Sequence, residues 1–468
     1  MNKEIISNIC IPTISFSNSF DIHINKGKIE KLIESTNKNR TSLFLFPSFH
    51  DSHIHLKLFT ETLSQILFDP DDDVGKVMDK IKDRLKDYEK GELIFGGGFS
   101  RKFLDEFVNK KTLDDLTSDN PIILYSRDIH TFVLNSKALS LIDKDMKKQY
   151  SKYIQKDDKN IETGIIFEKA ETLLTHVLKE KEKSFKKDLP KAISILNSYG
   201  ITAIHDMDGI NTNITQGLPI DIITFYRKDP EELNPKDGIK LFLDGSLGSL
   251  TAWMEDGEGI SNYNEKELEV LLHKCRKHNL RPAIHAIGNK ANRVLAHLFK
   301  KIGKEDWRIE HAQTVSDSAL SFFKDINIAM QPQHLLFDIP LAKKHLNGKE
   351  YELFRFKSLL KNKARLMFGS DCPVIAPNVI EGIYAASERI DPESKKVWQL
   401  KEKISRKEAL DAYTVNCARY AGLESGSVEI GKDADLVLLD KNILNCSKEE
   451  LLSTKILRTY YKGKVVFE

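Results

Sequence analysis

The stretch Leu43-Phe44-Leu45-Phe46-Pro47-Ser48-Phe49-His50-Asp51-Ser52-His53-Ile54-His55 sets the reading of the chain. An apolar run ends on two histidines one residue apart. In a strand, residues i and i+2 share a face, so His53 and His55 point together. A His-X-His pair is weak evidence alone, because two neutral imidazoles can be satisfied by ordinary hydrogen bonds. Its meaning depends on what recurs along the chain.

Seven further segments have the same form: Ile201–Asp206, Ile222–Tyr226, Ile239–Asp244, Arg281–Ala286, Arg308–His311, Ile326–Gln331 and Arg365–Ser370. With Leu43–Pro47 running into His53–His55 they make eight. Most are short, apolar and followed by a polar or Gly-containing turn, as buried parallel strands are. Amphipathic stretches such as Glu265–His278 and Asn289–Lys301 lie between some of them. Eight strands alternating with helices predict an α/β fold, a (β/α)₈ TIM-type barrel.

The spacing is uneven. The long stretch after His55 carries strand signals of its own (Leu93–Phe95, Ile122–Tyr125) and helix signals (Val74–Glu89, Phe167–Glu180). It reads as a large insertion after the first barrel strand, at about 61–190, on the loop face where such barrels hold their active sites, and so over the pocket. The chain ends read as short strands: Phe20–Ile24, Ser427–Ile430, Asp435–Leu439 and Ile456–Phe467, the last turning at Tyr461-Lys462-Gly463-Lys464. The two ends, 1–46 and 423–468, are expected to pair into one small β domain beside the barrel at 47–422.

Composition narrows the class of function. Lys and Arg number 71 against 69 Asp and Glu, a net charge of +2, which gives no electrostatic case for nucleic acid or an anionic membrane. No run approaches the ~20 apolar residues of a spanning helix, and the first fifteen residues lack the basic start and long apolar core of a signal peptide. Five scattered cysteines without a C-x-x-C pair fit a reducing cytoplasm. The expected partner is a small-molecule substrate. The oligomeric state is open, a homo-oligomer included.

The chemistry gathers at strand ends. His285 ends Ala283-Ile284-His285, His311 ends Arg308-Ile309-Glu310-His311, and Asp371 follows Phe368-Gly369-Ser370. In a closed barrel these ends meet around one mouth. Four histidines and one aspartate there form a ligand set for a divalent ion such as zinc. Lys240, in Gly238-Ile239-Lys240-Leu241-Phe242, is a sixth candidate. It either faces outward or pairs with Asp244, or it carries a CO₂-derived carbamate that bridges two ions; spacing does not choose.

The segment Phe46–Leu56 resembles the opening motif of the amidohydrolase superfamily. The remainder resembles its amidohydrolase family 3 branch, which includes N-substituted formamide deformylases. The resemblance rests on Asn135-Ser136-Lys137-Ala138-Leu139, Thr163-Gly164-Ile165-Ile166-Phe167-Glu168, Lys240–Ser249, His285–Ala291, Arg308–Gln313, Gly369–Val374 and Gly431–Leu436. It implies a barrel with a small β-sandwich built from both termini, and one or two divalent metal ions, zinc among them. It implies that His53 and His55 bind a first metal with Asp371, that His285 and His311 bind a second, and that Lys240 is the carboxylated lysine. Three positions depart from the pattern: His50, Ile129 and Asn289 stand where a small aliphatic residue, Gly and Asp are usual.

The implied activity is hydrolysis of a non-peptide C–N bond in an amide, formamide or cyclic amide by metal-activated water. Asp371 is the expected base, and His130 and Glu168 are candidate substrate contacts. The alternatives are a deaminase, esterase or decarboxylase on the same scaffold, or a non-catalytic barrel protein.

Overall fold

The computed structural model describes residues 4–36, 42–69, 72–99, 109–126, 131–167, 173–174, 180–248, 250–257 and 259–468. The chain divides into two compact units, 1–56 with 193–468, and 57–192.

In the first unit eight strands form one parallel sheet. In chain order they are Phe49–Ile54, Ile201–Asp206, Asp221–Tyr226, Gly238–Phe242, Arg281–Ala286, Arg308–His311, Asn327–Met330 and Arg365–Phe368, each hydrogen-bonded to the next. The first and last strands meet beyond their ladders. Ile54 bridges Cys372 in parallel, Asp371 N donates to His53 O at 2.7 Å, and His55 N donates to Cys372 O at 2.9 Å. The sheet is therefore a nearly closed barrel. Phe49–Ile54 and Ile201–Asp206 are buried at every residue, as strands covered on both faces must be.

The crossovers explain the sequence between strands. Helix Glu265–Lys277 starts at a capping box of Asn264 and Glu267 and buries Leu268, Leu272 and Cys275. These residues sit four and three apart, on one helix face. Helix Asn289–Ile302 buries a broader stripe that includes Val294, Leu295, Leu298 and Ile302.

One expected strand divides in two. Leu43–Pro47 does not continue into the barrel. Phe44–Pro47 pairs antiparallel with Leu436–Leu439, and the barrel strand begins afresh at Phe49. Between them Ser48 donates its N–H to Asp435 O and shares a hydroxyl bond with Thr202. The strands of both termini join one seven-stranded sheet, ordered Lys464–Phe467, Ile456–Tyr461, Leu436–Leu439, Phe44–Pro47, Glu4–Cys10, Ser19–Asn25 and Lys28–Glu34. Its last hairpin turns at Lys462 (φ 48°) and Gly463 (φ 78°), the two positive φ values of a type I′ turn. Ser427–Ile430 is not a strand. Gly426 and Gly431, both at positive φ, bracket it, although Val428 still buries into the core of this sheet.

The unit 57–192 holds a six-stranded sheet ordered Ile154–Lys156, Glu162–Phe167, Thr131–Leu134, Ile122–Ser126, Ile94–Phe99 and Ile66–Leu67. The helix expected to Glu89 stops at Leu85. Phe167, expected to begin a helix, instead ends a strand whose Ile165 and Ile166 pair with Val133 and Phe132. Residues 168–172 and 175–179 of that expected helix lie outside the described residues, and its described residues 173–174 and Glu180 are helical. Among the described residues no helix is long and apolar enough to cross a membrane.

Candidate metal centre

The strand ends bring the four histidines together. Ring centroids of His53 and His55 lie 5.6 Å apart, of His53 and His311 4.8 Å, and of His285 and His311 4.4 Å. His53, His55 and Asp371 can each offer one ligand atom, all within 4.8 Å of one another. Asp371 Oδ1 stands 3.2 Å from His55 Nε2 and 3.5 Å from His53 Nε2. Lys240 is buried at 3% exposure with its amine 5.0 Å from the centre of the Phe242 ring. It neither faces outward nor pairs with Asp244. That carboxylate is used by the N–H groups of Ile287, Gly288 and Trp253.

Each imidazole has one nitrogen already engaged. His53 Nδ1 donates to Glu310 Oε2 at 2.5 Å, His55 Nδ1 to Asp208 Oδ1 at 2.7 Å, and His311 Nδ1 to Gln331 Oε1 at 2.8 Å. His285 reverses the pattern, with Nε2 donating to Gly245 O at 3.0 Å. A ring that donates from one nitrogen presents a lone pair at the other, which is the form a metal ligand requires. The free atoms are therefore Nε2 of His53, His55 and His311, and Nδ1 of His285.

Backbone geometry turns His311 and Asp371 toward the histidine cluster. Arg308 and Glu310 share one face of their strand, so parity would send His311 to the other side. The ladder ends there, and His311 (φ 71°) and Ala312 (φ 42°) take left-handed conformations. Asp371 does the same at φ 61°. Such conformations are strained outside glycine and concentrate at functional sites.

The electrostatics favour a cation. Burial lowers the His55 pKa, but Asp208 and Asp371 outweigh it and bring it up to about 9. These carboxylates call for positive charge, which a proton or a divalent ion supplies. Burial, with Lys240 adding to it, holds His285 down to about 4 and His53 well below the ordinary imidazole range; for His311, burial is followed by His285 and then Lys240. All three are neutral lone-pair donors. Burial lowers Lys240 to about 8 against the opposing pull of Glu310 and Asp371. His53 Nε2, Asp371 Oδ1 and Lys240 Nζ are buried without a hydrogen-bond partner. Orphaned polar atoms are costly, and two imidazoles with a carboxylate are the donor set of a divalent transition metal. The residues fit such an ion.

Several supporting residues carried no role in the sequence reading. Glu310 also accepts from Arg308 Nε at 2.5 Å, while Arg308 Nη1 donates to His205 Nδ1 at 2.6 Å and Nη2 to Ser52 O at 2.7 Å. Asp51 accepts from His53 N, Ser370 N and Ser370 Oγ, tying the first strand to the last. The available signal was Arg308 and Glu310 two apart in an apolar strand, which places two charges on one buried face. His50 bonds Ser425, away from the histidine cluster. Asn289 joins loops, accepting from Glu255 N and donating to Glu352. Cys372 is a buried thiol that burial and the Asp51 and Asp371 carboxylates push up, the opposite of an activated nucleophile. Ile129, His130 and Glu168 lie outside the described residues.

A family model described as the amidohydrolase family matches residues 42–467. Protein LONG AFTER FAR-RED 3 of Arabidopsis thaliana is 28% identical, over 92% of this chain and 83% of its own length. N-substituted formamide deformylase of Arthrobacter pascens is 24% identical, over 90% of this chain and 88% of its own. The crystal structure of an uncharacterized metal-dependent hydrolase from Pyrococcus furiosus aligns with a TM-score of 0.75 at 24% identity, covering 95% of this chain and all of that one. At that identity the likeness speaks for the fold.

Proposed function

The chain belongs to the amidohydrolase family, and on that premise we propose that it is a metal-dependent hydrolase of a non-peptide C–N bond in a small amide, formamide or cyclic amide. The observation that carries the proposal is the clustering of His53, His55 and Asp371 with all three ligand atoms inside 4.8 Å. His285, His311 and Lys240 complete the set. The formamide class draws support from the Arthrobacter pascens relative, whose name is N-substituted formamide deformylase. In this reading zinc is the cation, the cytoplasm is the compartment, and residues 1–46 and 423–468 form a β-sandwich beside the catalytic barrel at 47–422.

His53 and His55 with Asp371 would hold one ion, and His285 and His311 a second, and Lys240 as a carbamate would add an anionic ligand. Bound there, a divalent ion supplies Lewis acidity, which polarises a carbonyl and lowers the pKa of water from about 15.7 toward ~7. The residues of the chain do the rest. Glu310 and Asp208 hold His53 and His55 in the tautomer with Nε2 free. Asp371 accepts a proton from the water whose oxygen bonds to the carbonyl carbon. It returns that proton to the nitrogen as the C–N bond breaks, so the products are a carboxylic acid and an amine. Lys240, neutral more readily than an exposed lysine, can take up CO₂ as a carbamate with release of a proton.

The test joins elemental analysis to a screen of N-acyl and N-formyl amines, cyclic amides, esters and dipeptides, followed by amine, ammonia and CO₂ release. Amine release from amides by zinc-loaded protein, abolished in His285→Ala, is the expected result. Unchanged turnover in His285→Ala, or exclusive release of ammonia or CO₂, would overturn the assignment.

A further inference from the structure

The four histidines are backed by two different kinds of group. His53 and His55 donate to carboxylates, and each carboxylate is itself held by an arginine. Glu310 lies between His53 (2.5 Å) and Arg308 (2.5 Å), with both side chains of the ion pair fully buried. Asp208 lies between His55 (2.7 Å) and Arg227 Nη2 (3.3 Å). Arg227 Nη2 is also 3.1 Å from His55 Nδ1; as both are donors, they converge on Asp208. His311 and His285 donate instead to neutral oxygens, Gln331 Oε1 and Gly245 O. Among the described residues the nearest carboxylate to His285, Asp244 Oδ1, stands off at 3.8 Å and is engaged by backbone N–H groups.

Hydrogen bonds to an ionised acceptor are roughly twice as strong as neutral ones, and a carboxylate behind an imidazole raises its basicity toward a metal. Asp371 adds an anionic ligand to the same side, within 3.5 Å of both His53 and His55. Among the described residues, no carboxylate is hydrogen-bonded to His285 or His311.

Resting on the metal-centre reading above, we propose that the centre is built unequally. The His53–His55–Asp371 position holds its ion tightly, and the His285–His311 position holds a second one weakly and exchangeably. The carboxylates Asp208 and Glu310 create the difference, acting through the imidazoles as positioning residues.

The experiment is a zinc titration of the full chain by chelator competition, with elemental analysis after dialysis against graded chelator. Two classes of site are expected, with one ion per chain surviving intermediate chelator. Asp208→Asn should weaken the tight class by about 10–100-fold and leave the weak class unmoved. Gln331→Glu should tighten the weak class. His311→Ala should keep the tight ion, and His55→Ala should lose it. Thermal unfolding of each variant confirms folding; Asp208, at the edge of the core, carries the test if Gln331→Glu fails to fold. Two ions of equal affinity, or a tight ion lost in His311→Ala and kept in His55→Ala, would overturn the ordering alone. A chain that binds no zinc at all would overturn the metal reading and the ordering with it.

Discussion

Replacing Glu310 by glutamine separates the two duties of that carboxylate. Glu310 accepts from Arg308 Nε with one oxygen and from His53 Nδ1 with the other. Glutamine has one accepting oxygen and one donating NH₂, so only one duty can be kept. If the amide oxygen serves Arg308, the NH₂ meets His53 Nδ1 and forces that nitrogen to accept. The ring proton then moves to Nε2 and removes the lone pair aimed at Asp371. If the oxygen serves His53, the NH₂ meets the Arg308 Nε–H, donor against donor, and in either orientation the fully buried guanidinium loses its counter-charge. Breaking a buried pair from one side costs about 3–5 kcal/mol, and losing a partner behind a metal ligand costs about 10–100-fold in affinity. Glu310→Gln should therefore unfold at lower temperature and bind zinc more weakly, by calorimetry and chelator competition. The double variant Arg308→Met with Glu310→Leu removes both charges. It should regain most of the stability and none of the zinc affinity. A single variant with wild-type unfolding and wild-type affinity would refute the reasoning. So would a double variant that recovers affinity.

Three further outcomes follow from other parts of the barrel. Lys240→Arg keeps a charge that cannot take up CO₂; metal-free wild-type protein reloaded with zinc should gain activity with added bicarbonate, and the variant should not. Gly369→Ala places a Cβ about 2.5 Å from His53 N and 2.6 Å from Asp51 Oδ1, where the first and last strands meet; the strain should cost about 1–3 kcal/mol in thermal unfolding and weaken zinc binding. Asp435 is buried, and desolvation raises its pKa to about 7, opposed by the Lys462 N–H. The native state therefore holds a proton that the unfolded chain releases above about pH 4, so this group's contribution falls as pH rises from about 4 to 7 and is flat beyond. Asp435→Asn, which keeps an acceptor for Lys462, should gain stability over wild type at pH 8 by up to about 4 kcal/mol and little at pH 4, read from calorimetric scans at both values.

The barrel was legible because its signals are repetitive. Eight short apolar runs ended on polar residues, and the helices between them carried one-sided apolar faces. What periodicity could not place was the boundary at Ser48. Phe44–Pro47 and Phe49–Ile54 are equally apolar, and only their pairing partners, Leu436–Leu439 for one and Ile201–Asp206 for the other, assign them to different sheets. Phe167 itself falls to a strand rather than to the expected helix for a related reason, since its Ile165-Ile166 neighbours serve either until pairing with Val133 and Phe132 decides.

At the site, the residues that could be seen were those whose type is rare at a strand end. Histidine and aspartate after an apolar run ask for an explanation. Glutamate next to a histidine inside a motif does not. Parity alone would have put His311 and Glu310 on opposite faces and so left one of them out of the centre. The positive φ at His311 lets both face it: Glu310 toward His53, and His311, at the last rung of the ladder opposite Ala286, toward His285. One strand end thus supplies His311, a proposed ligand, and the carboxylate that bonds His53, another. Arg308, two residues before Glu310, extends the same face to His205 and Ser52. The sequence signature of such a centre is therefore the whole run Arg308-Ile309-Glu310-His311, in which alternation holds through Glu310 and is broken, with purpose, at the last residue.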